Sequence, residues 1–216
     1  TNTAQFPLWL WNTVRVAVVS MAISLIASAL GAYALVRLRW RGAGFVSTAI
    51  LLTYLMPGIM LVVPLYQIFS SLQLTNSLGS LMVAYPTFLL PFACWLLMGY
   101  YRSIPEELEE AALIDGCNRF QAYFRIVLPL VLPALMAVAL FALTNAWNEF
   151  LFAFVFIQSN SGTTLPVGLG RWIIGDVFRW GPIMAASVAM SVPVVAFYAM
   201  AQRFLVEGLT AGSVKG

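Results

Sequence analysis

The sequence predicts an all-α fold, a polytopic transmembrane helical bundle that forms a single domain over residues 1–216. Hydrophobic residues make up 62% of the chain and charged residues only 9%, whereas a soluble domain has about 25% charged residues. The mean hydropathy of +0.90 is typical of a protein embedded in a lipid bilayer. Backbone groups in lipid must be paired within their own segment, so the apolar segments are predicted to be helices. Five segments are long enough to cross the hydrocarbon, namely 8–36, 43–72, 78–101, 126–157 and 183–204.

The basic residues predict how these five spans are oriented. If the spans alternate in direction, eight basic residues lie on one side: Arg37, Arg39, Arg41, Arg102, Arg119, Arg125, Arg203 and Lys215. The other side has Arg15, Arg171 and Arg179. The positive-inside rule makes the first side cytoplasmic. Segment 103–126 and the tail 205–216 are then cytoplasmic, and loop 158–182 faces outward. Because this places residue 1 outside, we expect a further transmembrane helix before it, giving six spans.

Several classes of function are disfavoured by what the sequence lacks. It contains no histidine and no phosphate-binding loop, and Lys215 is its only lysine. The basic residues form no cluster suited to nucleic acid. We therefore predict no catalytic residue, metal site, bound cofactor or nucleic-acid partner for this chain. Seven prolines spread over four spans favour a bundle that lines a cavity over a simple membrane anchor.

The cytoplasmic segment 103–126 is unusually acidic for so apolar a chain. Ser103 is predicted to cap a helix that runs through four glutamates, with Pro105 in its first turn and Gly116 at the bend that ends it. A second helical stretch is expected over 119–126. On the first helix, small side chains lie at the centre of one face, which suits the close approach of another protein. That face holds Leu108, Ala111, Ala112 and Asp115. The alternative is a solvated helix stabilised by its own caps.

The stretch "EAALIDGCNRFQAYFRIVLP" resembles the EAA motif of ABC importer permeases. Its pattern is E-A-A, three residues, glycine, nine residues and I-x-L-P. Four more stretches resemble the carbohydrate-importer branch of that family, the maltose-permease G-protein type: "MPGIMLVVPLYQIF", "NAWNEFLFAF", "TLPVGL" and "VEGLTAGSVKG". The resemblance covers nearly the whole chain. It implies a type I ABC importer permease fold and a multi-pass location in the inner or plasma membrane of a bacterium or archaeon.

The resemblance also implies the partners of the chain besides the lipid bilayer. They are a second homologous permease, two ATP-binding cassette ATPases that hold ATP and Mg, and an extracytoplasmic solute-binding protein. Glu110 is expected to make polar contact with an ATPase, and Ala111 and Ala112 to allow its close approach. The tail residues Ser213, Val214, Lys215 and Gly216 are expected to reach between the ATPase subunits. A frayed terminus is the alternative for the tail.

Two further groups of residues are candidates for substrate or binding-protein contact. The resemblance implies that the outward loop meets the binding protein through Leu165, Pro166, Val167, Gly168 and Leu169. Trp172 and Trp180 could serve there or anchor the loop at the membrane interface. Asn145, Asn148 and Glu149 are spaced i, i+3 and i+4, so they predict one polar stripe on a helix. The stripe could line the translocation path or pair with other helices. Tyr54 is a weaker candidate for the path.

The predicted function is an ATP-driven importer permease for a mono-, di- or oligosaccharide. One alternative is import of glycerol phosphate or another polyol derivative, which the outward arginines could suit. A secondary transporter or channel is another, but it would need coupling-ion carboxylates near the middle of the membrane, where only Glu149 is found.

Overall fold

The computed structural model describes residues 5–38, 40–174, 177–178 and 180–213, and they are mostly helical. The first half of the chain forms α1 (Phe6–Arg37), α2 (Ala43–Leu55), α3 (Val62–Ser71), α4 (Leu78–Ala84) and α5 (Pro86–Ser103). The segment predicted to be cytoplasmic leads into the fourth span and contains α6 (Glu107–Ile114), α7 (Arg119–Ala122), a π-helical turn (Tyr123–Val127) and α8 (Leu128–Leu130). The rest forms α9 (Leu132–Asn148), α10 (Leu151–Phe156), α11 (Leu165–Gly170) and α12 (Trp180–Ser213). Two two-residue strands, β1 (Ile173–Ile174) and β2 (Val177–Phe178), pair antiparallel in loop 158–182, the loop predicted to face outward.

The five predicted spans correspond to three helical spans and two bent ones among the described residues. The first, third and fifth spans are α1, α4 with α5, and α12. The second span is broken between α2 and Gly58–Ser71, the segment that ends with α3, and the two parts meet at 99°. Met56 is extended there because the following Pro57 disfavours a helical conformation for it. The fourth bends by 74° between α8 and α9. These breaks confirm a bundle interrupted by prolines and not one of straight rods.

Helix α1 is the centre of the bundle and packs against both α5 and α9. One face of α1 consists of small side chains that are fully or almost fully buried: Thr13, Ala17, Ser20, Ser24 and Ser28. Small residues at such an interface let the backbones of neighbouring helices approach closely, which is how helices associate when lipid surrounds them. The larger core side chains then fill the space on either side of this face, towards the outer end around Tyr85 and Phe156 and towards the inner end around Tyr101 and Val127.

The basic residues gather at the ends of the bundle as their positions in the sequence predict. Arg37, Arg102 and Arg119 line cavities at one end. Arg15 and Arg171 belong to the opposite end, where α1 begins and the outward loop lies. Arg39 and Arg179 lie outside the described residues.

Helix α12 lies at the edge of the bundle. Only 6% of the most apolar stretch of this helix, within Trp180–Gln202, is buried by the rest of the chain. Most of its surface is therefore available to lipid or to another protein. The helix continues to Ser213, beyond the predicted end of the apolar span near residue 204, and 204–213 contains no proline that would break it. Val214, Lys215 and Gly216, three of the predicted ATPase-contacting residues, lie outside the described residues.

Enlarging a side chain on the small-residue face of α1 should destabilise the bundle. Ala17→Leu adds three carbon atoms at a site with 0% exposure, and we expect a cost of about 1–3 kcal/mol because the neighbouring helices must separate. The measurement is the melting temperature of the purified protein in detergent. Ala27→Leu is the control, since Ala27 is exposed on the same helix and should change stability by less than about 0.5 kcal/mol. Equal melting temperatures for both variants would contradict the packing described for α1.

Candidate coupling site and outward loop

Helix α6, in the segment predicted to be cytoplasmic, starts later than the sequence predicts. Its N-cap is Glu106, which makes no side-chain cap, whereas Ser103 is the last residue of α5 and donates its hydroxyl to Tyr100 O (2.8 Å). The predicted capping role of Ser103 is therefore wrong. Pro105 is the reason, because it forces Ile104 into an extended conformation and so separates the two helices.

Gly116 lies at the bend that ends α6, as the sequence predicts. This residue has a φ of +89°, a conformation that favours glycine. The Gly116 N–H donates to Leu113 O (3.1 Å) and the Cys117 N–H to Ala112 O (2.9 Å), the two bonds of a Schellman motif. Two residues later, Asn118 and Gln121 form a reciprocal capping box at the start of α7. The chain between α6 and α7 is thus fixed by its own hydrogen bonds.

A buried ion pair holds α6 against the inner end of α1. Arg37 Nε lies 2.9 Å from Glu109 Oε1, with side-chain exposures of only 5% and 14%, in an ion pair that lacks the angle of a hydrogen bond. Tyr33 donates its hydroxyl to the other carboxylate oxygen (2.8 Å). Arg37 Nη2 donates to Ile104 O (2.6 Å), and Nη1 lies 3.4 Å from Glu106 Oε1. One arginine therefore joins α1 to the linker after α5 and to both ends of the first turn of α6.

Three tyrosines form a layer behind this ion pair. The Tyr33 ring lies 4.6 Å from that of Tyr123 and 5.7 Å from that of Tyr101. The Tyr101 hydroxyl donates to Ala29 O (3.1 Å) and is 3.2 Å from the Tyr123 hydroxyl, which is left to act as the donor between them. The layer connects α1, α5 and the π-helical turn that leads from α7 into α9. The layer therefore links the segment that contains α6 and α7 to three spans.

The predicted partner-facing side of α6 is only partly exposed. Leu108 is 42% exposed, and Ala111 and Asp115 are exposed as well. Ala112 is only 3% exposed, because this side of the helix packs against α7 and the π-helical turn. The expectation that Ala112 lies open to a partner is therefore wrong. Its small side chain instead lets α6 lie close to its own bundle. Glu110 is exposed and free to reach a partner.

The cytoplasmic segment also presents large apolar side chains that the sequence analysis did not single out. Ile114 is 85% exposed and Phe120 is 70% exposed, on either side of the turn at Gly116. Together with Leu108 and Ala111 they form what we call the coupling surface. The signal was present in the sequence as apolar residues on both sides of Gly116, but only the buried position of Ala112 shows which side of α6 faces away from the bundle.

The polar stripe predicted on the fourth span is broken. Helix α9 ends at Asn148, and Glu149 is extended (ψ 124°), so it does not continue the face of Asn145 and Asn148. The Glu149 carboxylate accepts from the backbone N–H groups of Phe152 (2.9 Å) and Ala153 (3.1 Å) and from the Tyr85 hydroxyl (3.0 Å). Its place in the described structure is that of a cap on α10, with its charge near the positive end of that helix.

The two asparagines of the stripe remain accessible. Asn145 and Asn148 are exposed, and their amides donate to Phe141 O and Thr144 O of their own helix (both 2.8 Å). Asn148 also lines a groove between α9 and α12 whose other polar residues are Ser187 and Ser191. Tyr54 is 42% exposed and its ring lies 5.4 Å from that of Phe92. The side chains of these three candidates are accessible, and their role in the translocation path stays a prediction.

Most of the segment predicted to meet the binding protein is buried. Leu165 is 0% and Val167 4% exposed, Gly168 is buried, and Pro166 and Leu169 are half-buried. A binding-protein contact through Leu165, Val167 and Gly168 is therefore wrong. The reason is that α11 lies against α1 so closely that a Cβ on Gly168 would lie 2.2 Å from Cε3 of Trp9.

The outward loop is fastened to the outer end of α1 by buried polar groups. Asn12 is 0% exposed and its Nδ2 donates to Ser161 O (2.8 Å) and Thr163 O (2.9 Å). The Leu165 N–H donates to Thr13 Oγ1 (2.8 Å). Trp172 is only 2% exposed, so it is not an anchor at the membrane interface but a core residue, packed 5.9 Å from Trp9. Trp180 is 60% exposed, as an anchor requires.

The described outward arginines are engaged with their own neighbours. Arg15 Nη2 donates to Asn12 Oδ1 (2.7 Å) and the guanidinium lies 5.9 Å from the centre of a Trp11 ring. Arg171 Nη1 donates to Asn160 Oδ1 (2.6 Å). These contacts do not favour the use of the two arginines to bind an anionic substrate.

The family model for the inner membrane component of binding-protein-dependent transport systems matches residues 10–209. The chain belongs to this family. It is thus a permease subunit of the inner membrane, and the resemblance seen in the EAA segment is confirmed. A permease is not an enzyme, in agreement with the sequence.

The permease is similar to proteins of bacteria and archaea over nearly all its length. It is 42% identical to the inner membrane ABC transporter permease protein YcjP of Escherichia coli (strain K12), covering 95% of this chain and 73% of that protein. It is 35% identical to the trehalose/maltose transport system permease protein MalG of Thermococcus litoralis, covering 99% and 77%. Its fold is that of a bacterial ABC transporter involved in the import of alginate, with a TM-score of 0.79 and 25% identity over 92% of this chain and 74% of the other.

The ion pair at the inner end of α1 should make Glu109 more important for stability than its neighbour Glu110. Glu109→Gln removes the nearer and more buried of the two carboxylates that compensate the Arg37 charge, and we expect it to cost about 2–3 kcal/mol. Glu110→Gln should cost less than about 0.5 kcal/mol because Glu110 is exposed. The melting temperatures of the two purified permease variants in detergent provide the measurement. A larger loss for Glu110→Gln would contradict the inward orientation of Glu109.

The contact between α11 and α1 should not tolerate a methyl group at Gly168. Gly168→Ala forces the Trp9 ring to move, and because Trp172 packs on that ring we expect a cost of about 1–3 kcal/mol. Gly170→Ala is the matched control in the same short helix, since its Cβ would lie 3.5 Å from the nearest atom, an ordinary contact. Thermal unfolding of both variants tests the difference. If Gly168→Ala were as stable as Gly170→Ala, the close approach of the two helices would be disproved.

Proposed function

We propose that this permease imports a sugar (a mono-, di- or oligosaccharide) by alternating access driven by ATP hydrolysis on partner subunits. The names of two similar transporters support the substrate class, since one takes up trehalose or maltose and the other the polysaccharide alginate. The complex would contain a second homologous permease, two ATP-binding cassette ATPases and an extracytoplasmic solute-binding protein. ATP and Mg would bind to the ATPases, since the sequence of this chain has no phosphate-binding loop.

The observation that carries the proposal is the coupling surface. Ile114 and Phe120 are the most exposed large apolar side chains of the segment predicted to be cytoplasmic, and such exposure to water is unfavourable unless a partner covers them. Apolar anchors of this kind contribute most of the energy of a protein interface when they enter a pocket. Glu110, which is exposed one helical turn before Ile114, would give a polar contact. An ATPase that covers this surface explains both the exposure and the rigid support beneath it.

The support beneath the coupling surface would turn motion of the ATPases into motion of the bundle. Helix α6 cannot move alone, because the ion pair of Glu109 with Arg37 and the hydrogen bond from Tyr33 tie it to α1. The capping box and the π-helical turn continue the chain from α6 towards α9. Since α1 and α9 pack against each other, a push on α6 would shift the two helices together. Asn145 and Asn148, exposed on α9, would move with them.

Other parts of the surface would serve the remaining partners. The exposed rim of the outward loop, which includes Asn160, Ser161 and Ile173, is the part that the binding protein would contact. The largely exposed α12 would face the second permease or lipid. The tail from Ser213 to Gly216 would extend from the end of α12 to the ATPases.

The proposed function is tested by transport in proteoliposomes. The permease would be reconstituted with its partner permease, the ATPases and the candidate binding protein, and the uptake of radiolabelled oligosaccharides would be followed. Uptake should require ATP inside the vesicles and should stop with vanadate. Sugar uptake that persists without ATP would indicate a channel or secondary transporter and would reject the proposal.

A charge on the coupling surface should separate transport from folding. Ile114→Asp should lower sugar uptake about tenfold or more, because it places an unpaired carboxylate in the ATPase pocket. It should leave the melting temperature of the permease unchanged, since the side chain is 85% exposed. Ile114→Val, which stays apolar, is the control and should keep most of the uptake. Normal uptake by Ile114→Asp would mean that the ATPase docks elsewhere.

The position of Ala112 makes it unsuitable for this test. Ala112→Asp would bury a charge against α7 and so lower stability as well as transport. Ala111→Asp, on the exposed side of the same helix, is the informative variant and should behave like Ile114→Asp.

A further inference from the structure

Helix α1 runs through the whole bundle without interruption. It has 32 residues and is therefore about 48 Å long. The sequence 8–38 contains no proline, whereas α5 and α12 each have a proline inside the helix and the two other spans are bent by 99° and 74°. An unbroken ladder of backbone hydrogen bonds makes α1 the stiffest path between the two ends of the bundle among the described spans.

Buried hydrogen bonds and close packing hold the outward loop to the outer end of α1. The amide of Asn12 is fully buried, and both of its polar atoms form hydrogen bonds. Its Nδ2 donates to two loop carbonyls and its Oδ1 accepts from Arg15. Thr13 accepts from the Leu165 N–H. Trp9 lies directly against Gly168. Movement of loop residues 161–168 relative to α1 would break several buried bonds at once, which is costly.

The inner end of the same helix is bonded to α6. Arg37 and Tyr33 both contact the carboxylate of Glu109, and Arg37 also holds Ile104 O. The side chains that hold the loop and those that hold α6 thus belong to one rigid element. They lie 21 to 25 positions apart along it, counting from Asn12 to Tyr33 and Arg37.

We propose that α1 is a strut that couples the outward loop to the coupling helix, with Asn12 as the positioning residue at its outer end. When the loop moves on contact with the binding protein, the buried bonds of Asn12 and Thr13 oblige α1 to move with it. Arg37 and Tyr33 carry that movement to Glu109 and so to the coupling surface. The inference rests on the proposed function, because it assigns to α1 the path between two of the proposed partners.

The test measures how strongly the binding protein stimulates ATP hydrolysis by the reconstituted complex. The binding protein is the one that supports uptake in the transport assay, used at saturating concentration with its sugar. We expect Asn12→Ala to reduce the stimulation about fivefold or more, the lower limit of typical coupling between sites, and to leave the basal hydrolysis rate unchanged. If Asn12→Ala is not recovered in folded form, Thr13→Val is used, since it removes the bond to the Leu165 N–H with a side chain of the same shape.

The structure provides a matched control on the same loop. Asn76 Oδ1 accepts from the N–H groups of Gln158 (3.1 Å) and Ser159 (2.8 Å), so it holds the start of the loop to the turn between α3 and α4 and not to α1. Glycine tolerates the φ of +58° found at Asn76, so Asn76→Gly removes the amide without strain. This variant should keep the stimulation. An equal loss in Asn76→Gly and Asn12→Ala would show that the placement of the loop matters but α1 does not.

A double-mutant cycle tests whether the outward loop acts on α6 through α1 alone or also along a second, independent path. If the loop acts on α6 through α1, combining Asn12→Ala with Glu109→Gln should reduce the stimulation no further than the more severe single variant. Effects that multiply would overturn the strut, as would full stimulation in Asn12→Ala. A wild-type complex with neither ATP-driven uptake nor stimulated hydrolysis would instead reject the proposed function and the strut with it.

Discussion

The close packing of α1 against α5 and α9 is the constraint on which the rest of the structure depends. In lipid, helices gain little from burying apolar surface against one another, so they associate through close contact and polar bonds. The small side chains of α1, such as Ala17 and Ser24, permit that contact, and the buried Asn12 and Arg37 at its two ends supply polar bonds. Two of the other spans are bent and two contain a proline inside a helix, whereas this central helix is unbroken.

The charged and aromatic groups near the inner end of α1 bind a helix outside the membrane-spanning part of the chain to the bundle. A buried arginine is expensive unless it is paired, and Arg37 is paired with two glutamates and a carbonyl oxygen. Such a site is stable only when α6 is docked, so the position of α6 and that of α1 are linked. The tyrosine layer extends the link to α5 and the π-helical turn. The coupling surface therefore rests on a support that reaches three spans.

Much of the functional reasoning could be made from the sequence where local rules apply. The turn at Gly116 follows from local backbone conformation, and the acidic segment was assigned to the cytoplasmic side from the distribution of arginines. Predictions failed where a second element decided the outcome. Ser103 cannot cap α6 because Pro105 separates them. Ala112 and Gly168 are small because each lies against another helix of the same chain, and no local pattern distinguishes that from contact with a partner. Glu149 leaves the predicted stripe because α9 ends one residue earlier.

The sequence by itself determined five apolar spans, since composition and segment length are fixed along the chain; it predicted their orientation from the arginines, and it contained the EAA segment whose resemblance indicated a permease. Only the tertiary structure decided which side of each helix is buried in the bundle and which side is exposed to a partner. The choice between facing inward and facing a partner depends on distances between segments far apart in sequence, such as Arg37 and Glu109 or Trp9 and Gly168. For that reason the sequence located the coupling segment, and the fold identified Ile114 and Phe120 as its exposed contacts and Asn12 as the residue that fastens the opposite end.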